Sequence, residues 1–223
     1  MERQTLSSKA AAQILVLIQQ GNYAVGDKLP TEAQLVQQVG VGRNTVREAL
    51  RILASRNIIL IRQGSGCFLS EKKGVSEDPL GLALMCDRRK LAEDLMQIRL
   101  VIEPEIASLA AQNATDDDVQ CLQCLWEELE GLARRGEDFS QNDQRFHSQL
   151  AQCTHNQVIS KLLPVITEGV AVFSDEVSTT EYENTLKSHQ DLVSAVRAHR
   201  SVEAKELMLF HLLYNKHRFS EDV

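Results

Sequence analysis

LPTEAQLVQQVGVGRNTVREALRILASRNIILIRQGSGCFL, Leu29 to Leu69, decides how the N-terminal part of this 223-residue chain folds. Thr31 is of the type that caps a helix, and Leu35 and Val39, four apart, give the short helix behind it one apolar face. Gly40-Val41-Gly42 then breaks the period. A second helix starts at once. Val46, Ala49, Leu50 and Leu53 recur at spacings of three and four and mark its buried side, which leaves Arg43, Asn44, Arg47 and Arg51 near its start or on its outer side. After Ser55-Arg56-Asn57 the pattern turns β-rich. Ile58 to Arg62 and Cys67 to Ser70 flank Gln63-Gly64-Ser65-Gly66, whose glycines suit a hairpin turn. Two helices followed by a small hairpin read as a winged helix-turn-helix. Forked cations opening the second helix suit base edges and phosphates. The alternative is a solvated basic face on a small helical domain, and the ordered set of turn, Arg43, Arg47 and glycine wing argues against it.

The blocks P-T-E-x-x-L, G-V-x-R-N-T-V-R-E-A-L and R-x-G-S-G-x-F stand here in order, and they resemble the DNA-binding domain of the GntR family of bacterial transcription regulators. The resemblance covers about the first seventy residues. It implies that Arg43 and Arg47 contact an operator and that Gly64 lies at the wing tip near the minor groove. The expected DNA-contacting set is Arg43, Asn44, Thr45, Arg47, Gln63 and Gly64. Two positions depart from the family pattern. Ala33 stands where many relatives carry an arginine, so one expected DNA contact is missing. Gly42 stands where a serine or threonine often caps the recognition helix; glycine there costs only a few tenths of a kcal/mol.

The net charge of −7 looks unsuited to a polyanion until it is divided. Residues 1–73 hold ten Lys/Arg against five Asp/Glu, a balance of +5, and residues 74–223 hold fourteen against twenty-six, a balance of −12. The basic part is the part with the motif, and the acidic remainder is expected to stay away from nucleic acid. No run of eighteen apolar residues occurs and the N-terminus lacks a signal-peptide core, so a cytoplasmic protein without a membrane partner is expected. Five cysteines without a regular framework fit a reducing compartment. Cys121 and Cys124 form a C-x-x-C pair inside a helical pattern with no second pair nearby. They read as buried thiols, with a metal or redox site as the other reading.

Outward from the motif, Leu6 to Gln20 reads as a helix with Ile14, Leu17 and Ile18 on one face, ended by Gly21-Asn22. Gly26-Asp27 and Pro30 mark a turn before the motif. In EKKGVSEDP, Glu71 to Pro79, the apolar pattern lapses. The expected division is a DNA-binding domain over 1–73, a linker over 74–80, and an all-helical effector-binding and dimerisation domain over 81–223. Leu91, Leu95, Ile98, Ile102, Ile106 and Leu109 form one long stripe that runs through Pro104 or kinks there. Thr115 opens the next helix, which carries Val119, Leu122, Leu125, Trp126 and Leu129. After Gly136, helices are expected over about Asp138 to Cys153, Asn156 to Asp175 and Tyr182 to His199. A last one, capped by Ser201, runs to about Phe219.

The chemistry of this second part lies in four residues. Asp143 and His147 are four apart on a face shared with Phe139, Phe146 and Leu150. His189 lies on the stripe of Leu186, Val193 and Val196, and His211 follows Leu207 by four. Periodicity therefore turns all four inward, and two readings stay open. They are satisfied core residues, or they converge on a divalent metal that satisfies them together where unpaired polar groups are costly.

D-x-R-F-H, H-Q-D-L-V-x-A-V and a methionine-containing helix ending H-L resemble the metal-containing effector domains of the FadR-like branch of the same family. The resemblance implies that Asp143, His147, His189 and His211 hold a divalent ion, with zinc, nickel and manganese all conceivable, and that a small carboxylate effector binds at or beside it. Arg99, in I-R-L-V-I-E, matches an arginine that faces the effector's carboxylate in relatives; a helix-surface pair with Glu103 is the other reading. His155, His199 and His217 match no ligand position, and solvated or capping roles suffice for them.

The expected protein is mainly α: an N-terminal winged helix-turn-helix, and a C-terminal all-α bundle. It is expected to be a metabolite-responsive repressor, not an enzyme, that binds a palindromic double-stranded operator as a homodimer. Its effector is expected to be a small sugar acid or hydroxy acid. The rival readings are an acyl-CoA-responsive regulator, a dedicated metal sensor and a metal-dependent hydrolytic enzyme. Against the enzyme, no general base is placed near the four residues and no nucleophile motif occurs.

Overall fold

In a computed structural model the described residues are 5–72, 74, 78–171 and 179–221, with the backbone alone described at 83, 168–171, 179–182 and 217–221. The chain divides into two compact units, Met1–Pro79 and Leu80–Val223. Of the expected linker, residues 75–77 lie outside the described residues. Gly74 still belongs to the first unit, because its N–H donates to the Asn57 carbonyl at 3.1 Å.

In the first unit, α1 (Leu6–Gln20) is capped by Thr5, whose hydroxyl accepts from the Ser8 N–H. α2 (Glu32–Val39) opens on a reciprocal box: Thr31 accepts from the Gln34 backbone while Gln34 Oε1 accepts from the Thr31 N–H at 2.8 Å. Gly40, at φ +71°, closes it in the left-handed conformation that favours glycine. α3 (Arg43–Ser55) follows after two residues and buries Val46, Ala49, Leu50 and Leu53 against Ala10, Ala11, Ile14 and Ile18 of α1 and Leu35 of α2. β1 (Ile59–Arg62) and β2 (Gly66–Leu69) pair antiparallel, from Ile59 opposite Leu69 to Arg62 opposite Gly66. Gly66 is thus the first residue of the returning strand, not part of the turn, which is Gln63-Gly64-Ser65 with Gly64 at φ +73°. The fold class expected from the sequence, a winged helix-turn-helix followed by a helical domain, is the one observed.

In the second unit, a short 3-10 turn at Leu82–Leu84 precedes α4 (Arg88–Asn113), a single helix that includes Pro104. Then come α5 (Asp116–Arg134), α6 (Ser140–Cys153), α7 (Ile159–Ala171), α8 (Thr179–Arg197) and α9 (Ser201–Glu221). α4 packs on α9, α6, α7 and α8, and α5 is laid on α6 and α8. Several expected boundaries move for local reasons. α6 starts later because Asp138 Oδ1 takes the Ser140 N–H, and α7 starts later because Asn156 Oδ1 accepts from Val158 and Ile159. α8 begins at Thr179, earlier than Tyr182, and the stretch 172–178, where the preceding helix was expected to end, lies outside the described residues. Ser201 is the first residue of α9 and not a cap before it.

Two expectations about faces are corrected. Cys121 and Cys124 are exposed, because Val119, Leu122, Leu125 and Leu129 take the buried side of α5 and turn the pair outward. On α4, Ile98 is 46% exposed, while Arg99 and Glu103 are buried with Met96, Ala107, Ala110 and Ala111. A helix enclosed by several neighbours buries a wider arc than one stripe, and polar residues fall within it. Among the described residues, no helix is long and apolar enough to cross a membrane.

Candidate functional site

α6 supplies Asp143 and His147, α8 supplies His189 and α9 supplies His211, and one potential ligand atom from each lies within 4.8 Å of all the others. The local sequence explains the convergence. Phe146 and Leu150 sink α6 into the core, Val193 and Val196 do the same for α8, and Met208 and Leu212 for α9. Phe146 also stacks on the His189 ring, with centroids 4.2 Å apart and planes 29° apart. The three histidines are buried, and the Asp143 side chain keeps 23% of its surface exposed.

The four are close without satisfying one another. His147 Nε2 is 3.7 Å from Asp143 Oδ2, and His189 Nε2 is 3.4 Å from Asp143 Oδ1. Asp143 Oδ1 and both nitrogens of His189 are buried with no hydrogen-bond partner. Such orphaned groups cost about 1–3 kcal/mol each in a closed core. Burial, and then the neighbouring His147, push His189 well below its ordinary pKa; burial, with His189 and His147 beside it, does the same to His211. Both shifts favour the neutral imidazole, the form that donates a lone pair to a metal. Three nitrogens and one carboxylate suit a borderline transition metal, and an ion would satisfy Asp143 Oδ1 and one of the two His189 nitrogens together.

α4 brings two further groups. Arg99 Nε donates to Glu103 Oε1, Glu103 Oε2 meets His147 Nδ1, and Arg99 Nη2 lies 3.4 Å from His147 Nε2. The pair expected as an alternative for Arg99 is therefore present, but buried rather than on the helix surface, and it reaches the cluster instead of competing with it. Burial would push the Glu103 carboxyl up, yet Arg99 and His147 outweigh it and hold the group well below the usual carboxylate range. Sequence reasoning missed Glu103 as part of the site, though the signal was there, an acid four residues after Arg99 on an otherwise small-residue face. It also missed Asn215, whose Nδ2 is 3.2 Å from His211 Nε2.

The remaining histidines have partners of their own where their side chains are described. His155 pairs with Asp118 at 2.9 Å, and His199 Nδ1 lies 2.8 Å from the Ala111 carbonyl. The side chain of His217 lies outside the described residues.

In the first unit, Arg43, Asn44 and Arg47 are exposed and Thr45 is half-buried at the start of α3. Gly42 precedes them without a side-chain cap, as its lack of a side chain requires. Glu32, at the start of α2, accepts from Arg47 Nε at 2.9 Å. Gln63 and Gly64 are exposed in the hairpin turn, and Ala33 is exposed on α2. Exposed cations at a helix start carry no burial cost and can meet phosphates and base edges.

A family model described as "Bacterial regulatory proteins, gntR family" matches residues 6–69, and one described as "FCD domain" matches residues 94–213. The chain is 32% identical over 233 residues to the "Putative L-lactate dehydrogenase operon regulatory protein" of Escherichia coli K12, covering 97% of this chain and 88% of that one. It is 28% identical over 211 residues to the "Galactonate operon transcriptional repressor" of the same organism, covering 90% and 91%. Among solved structures, "Streptococcus agalactiae GntR" superposes with a TM-score of 0.87 at 40% identity, covering 95% of this chain and 99% of that one.

Proposed function

The chain belongs to the GntR family of bacterial regulatory proteins, with an FCD domain in its helical unit, and is a DNA-binding transcription regulator; on that premise we propose that it is a repressor controlled by a small hydroxy acid or sugar acid bound at a metal site. Asp143, His147, His189 and His211 would hold the ion, with zinc, nickel and manganese the candidate identities. When bound, the ion supplies a Lewis acid for the oxygens of such a ligand. Arg99 would face the ligand's carboxylate as a charged donor. The observation that carries this reading is the buried cluster itself, with Asp143 Oδ1 and both His189 nitrogens left without partners.

The effector class is supported by the names of two relatives, one tied to an L-lactate dehydrogenase operon and one to a galactonate operon. Arg43, Asn44, Thr45, Arg47, Gln63 and Gly64 are proposed as the DNA-contacting set, reading one half-site of a palindrome. A homodimer supplies the second half-site and the affinity that a single module lacks. Effector binding then acts through its differential affinity for the DNA-competent and DNA-incompetent states.

Elemental analysis of the purified chain tests the metal, and calorimetric titration with lactate, gluconate and galactonate tests the effector. The expected result is about one ion per chain, with hydroxy-acid binding lost on chelation and an operator gel shift released by the acid that binds. A chain that carries no stoichiometric metal and gains none on dialysis ends the metal reading. Sedimentation tests the dimer, and a monomer at micromolar concentration would remove the two-half-site arrangement.

A further inference from the structure

Glu103 is 1% exposed, and each of its oxygens is committed to a different partner: Oε1 to Arg99 and Oε2 to His147. We infer that Glu103 is a positioning residue shared by both halves of the effector site, setting the ring of His147 for the metal and the guanidinium of Arg99 for the carboxylate. This rests on the metal reading above and adds a residue that holds no ligand itself.

The argument starts from what a carboxylate can do. Ionised, it accepts hydrogen bonds and donates none, so the His147 nitrogen facing it must carry the proton. That nitrogen is Nδ1. A neutral ring protonated at Nδ1 has its lone pair at Nε2, the atom that faces Asp143 Oδ2 at 3.7 Å and Arg99 Nη2 at 3.4 Å. The same contact resists rotation of the ring about Cβ–Cγ. His189 is held differently: neither of its nitrogens has a partner, and its ring is oriented by stacking on Phe146. His147 accordingly has its tautomer set by a carboxylate, where His189 has no partner and His211 Nε2 meets the Asn215 amide. A carboxylate beside the other nitrogen of a metal-ligating histidine raises ligand basicity and fixes orientation, and removing it typically weakens metal binding about 10–100-fold. The second oxygen holds Arg99 by Nε, which leaves the Nη edge directed at the cluster. One buried carboxylate thus sets both groups.

A single Glu103 substitution would leave Arg99 as an unpaired buried cation, so the test removes the pair together. Replacing a buried ion pair by apolar residues of similar volume is often neutral for stability. The full chain is compared as Arg99→Met/Glu103→Gln and Arg99→Met/Glu103→Leu, with Zn2+ as the probe in competition with a chromophoric chelator. Glutamine keeps an acceptor for Nδ1–H and leucine does not. The double variant with leucine is expected to bind Zn2+ about 10–100-fold more weakly than the double variant with glutamine. Equal affinities within twofold would overturn the inference. The 15N shifts of His147 in the metal-free protein give a second readout that a merely structural role would not move. The Nδ1–H tautomer is expected in the wild type and in the glutamine variant, and lost in the leucine variant. An Nε2–H tautomer in the wild type would overturn the inference even if the leucine variant failed to fold. A wild type that binds no Zn2+ while showing the Nδ1–H tautomer would instead remove the metal reading, and the metal-positioning role with it.

Discussion

The polar residues at the start of α3 and those inside the helical unit are placed under opposite energetic conditions. Arg43, Asn44 and Arg47 lie in solvent, where they cost the fold little, and the pair of Arg47 with Glu32 is open to water. His147, His189, His211, Arg99 and Glu103 lie inside a packed core, where every unpaired donor or acceptor is costly and each must be met by another group. The exposed set can be altered with its scaffold intact, whereas the buried set is part of its scaffold. An exposed cationic helix start therefore becomes informative through its order in the sequence. A buried cluster becomes informative through what it leaves unsatisfied.

The contrast can be broken most severely at the metal ligands. His147→Ala or His211→Ala should abolish stoichiometric metal and weaken hydroxy-acid binding together, with effector-free DNA binding largely kept; elemental analysis and gel shifts read both. A variant that keeps its ion while losing only the acid would separate two functions that the cluster is proposed to join. Next in size, Phe146→Ala removes a fully buried ring that packs the core and stacks on His189. It should cost about 3–5 kcal/mol in denaturant unfolding, and loosen metal as well. Unaltered metal affinity would mean that the stack does not orient His189.

On the exposed side, Arg43→Ala and Arg47→Ala should each cost about 1–3 kcal/mol of operator binding. Unfolding midpoints should stay within about 0.5 kcal/mol of the parent, as for other solvent-facing substitutions. If both variants bind specific and scrambled duplexes as the parent does, α3 is not the reading helix. The smallest effect is expected from Ala33→Arg. One added phosphate contact should steepen the slope of log K against log salt by about 0.9. An unchanged slope would show that this position faces away from the backbone.

How much of this was legible beforehand follows from the same contrast. Thr31 with Gln34, Gly40, Thr115 and Gly136 delimit helices through bonds and backbone angles within a few residues, and such local chemistry is written in order along the chain. The stripes of α3, α6, α8 and α9 were equally readable, because the face a residue occupies on a helix follows from spacing alone. The sequence thus determined the winged helix-turn-helix, its exposed cations, and the inward direction of His147, His189 and His211.

Spacing says which face a side chain takes but not what covers that face, and the rest depended on the covering. Cys121 and Cys124 turn outward because four other residues of α5 fill the core, and Ile98 is exposed although it continues an apolar stripe. The surface pair with Glu103, the other reading of Arg99, becomes a buried one once α4 is enclosed by its neighbours. Only then does Glu103 meet His147, forty-four positions further along the chain. Burying such charges is favourable only when partners from distant segments arrive with them, and that pairing is a property of the packed bundle and not of any one helix.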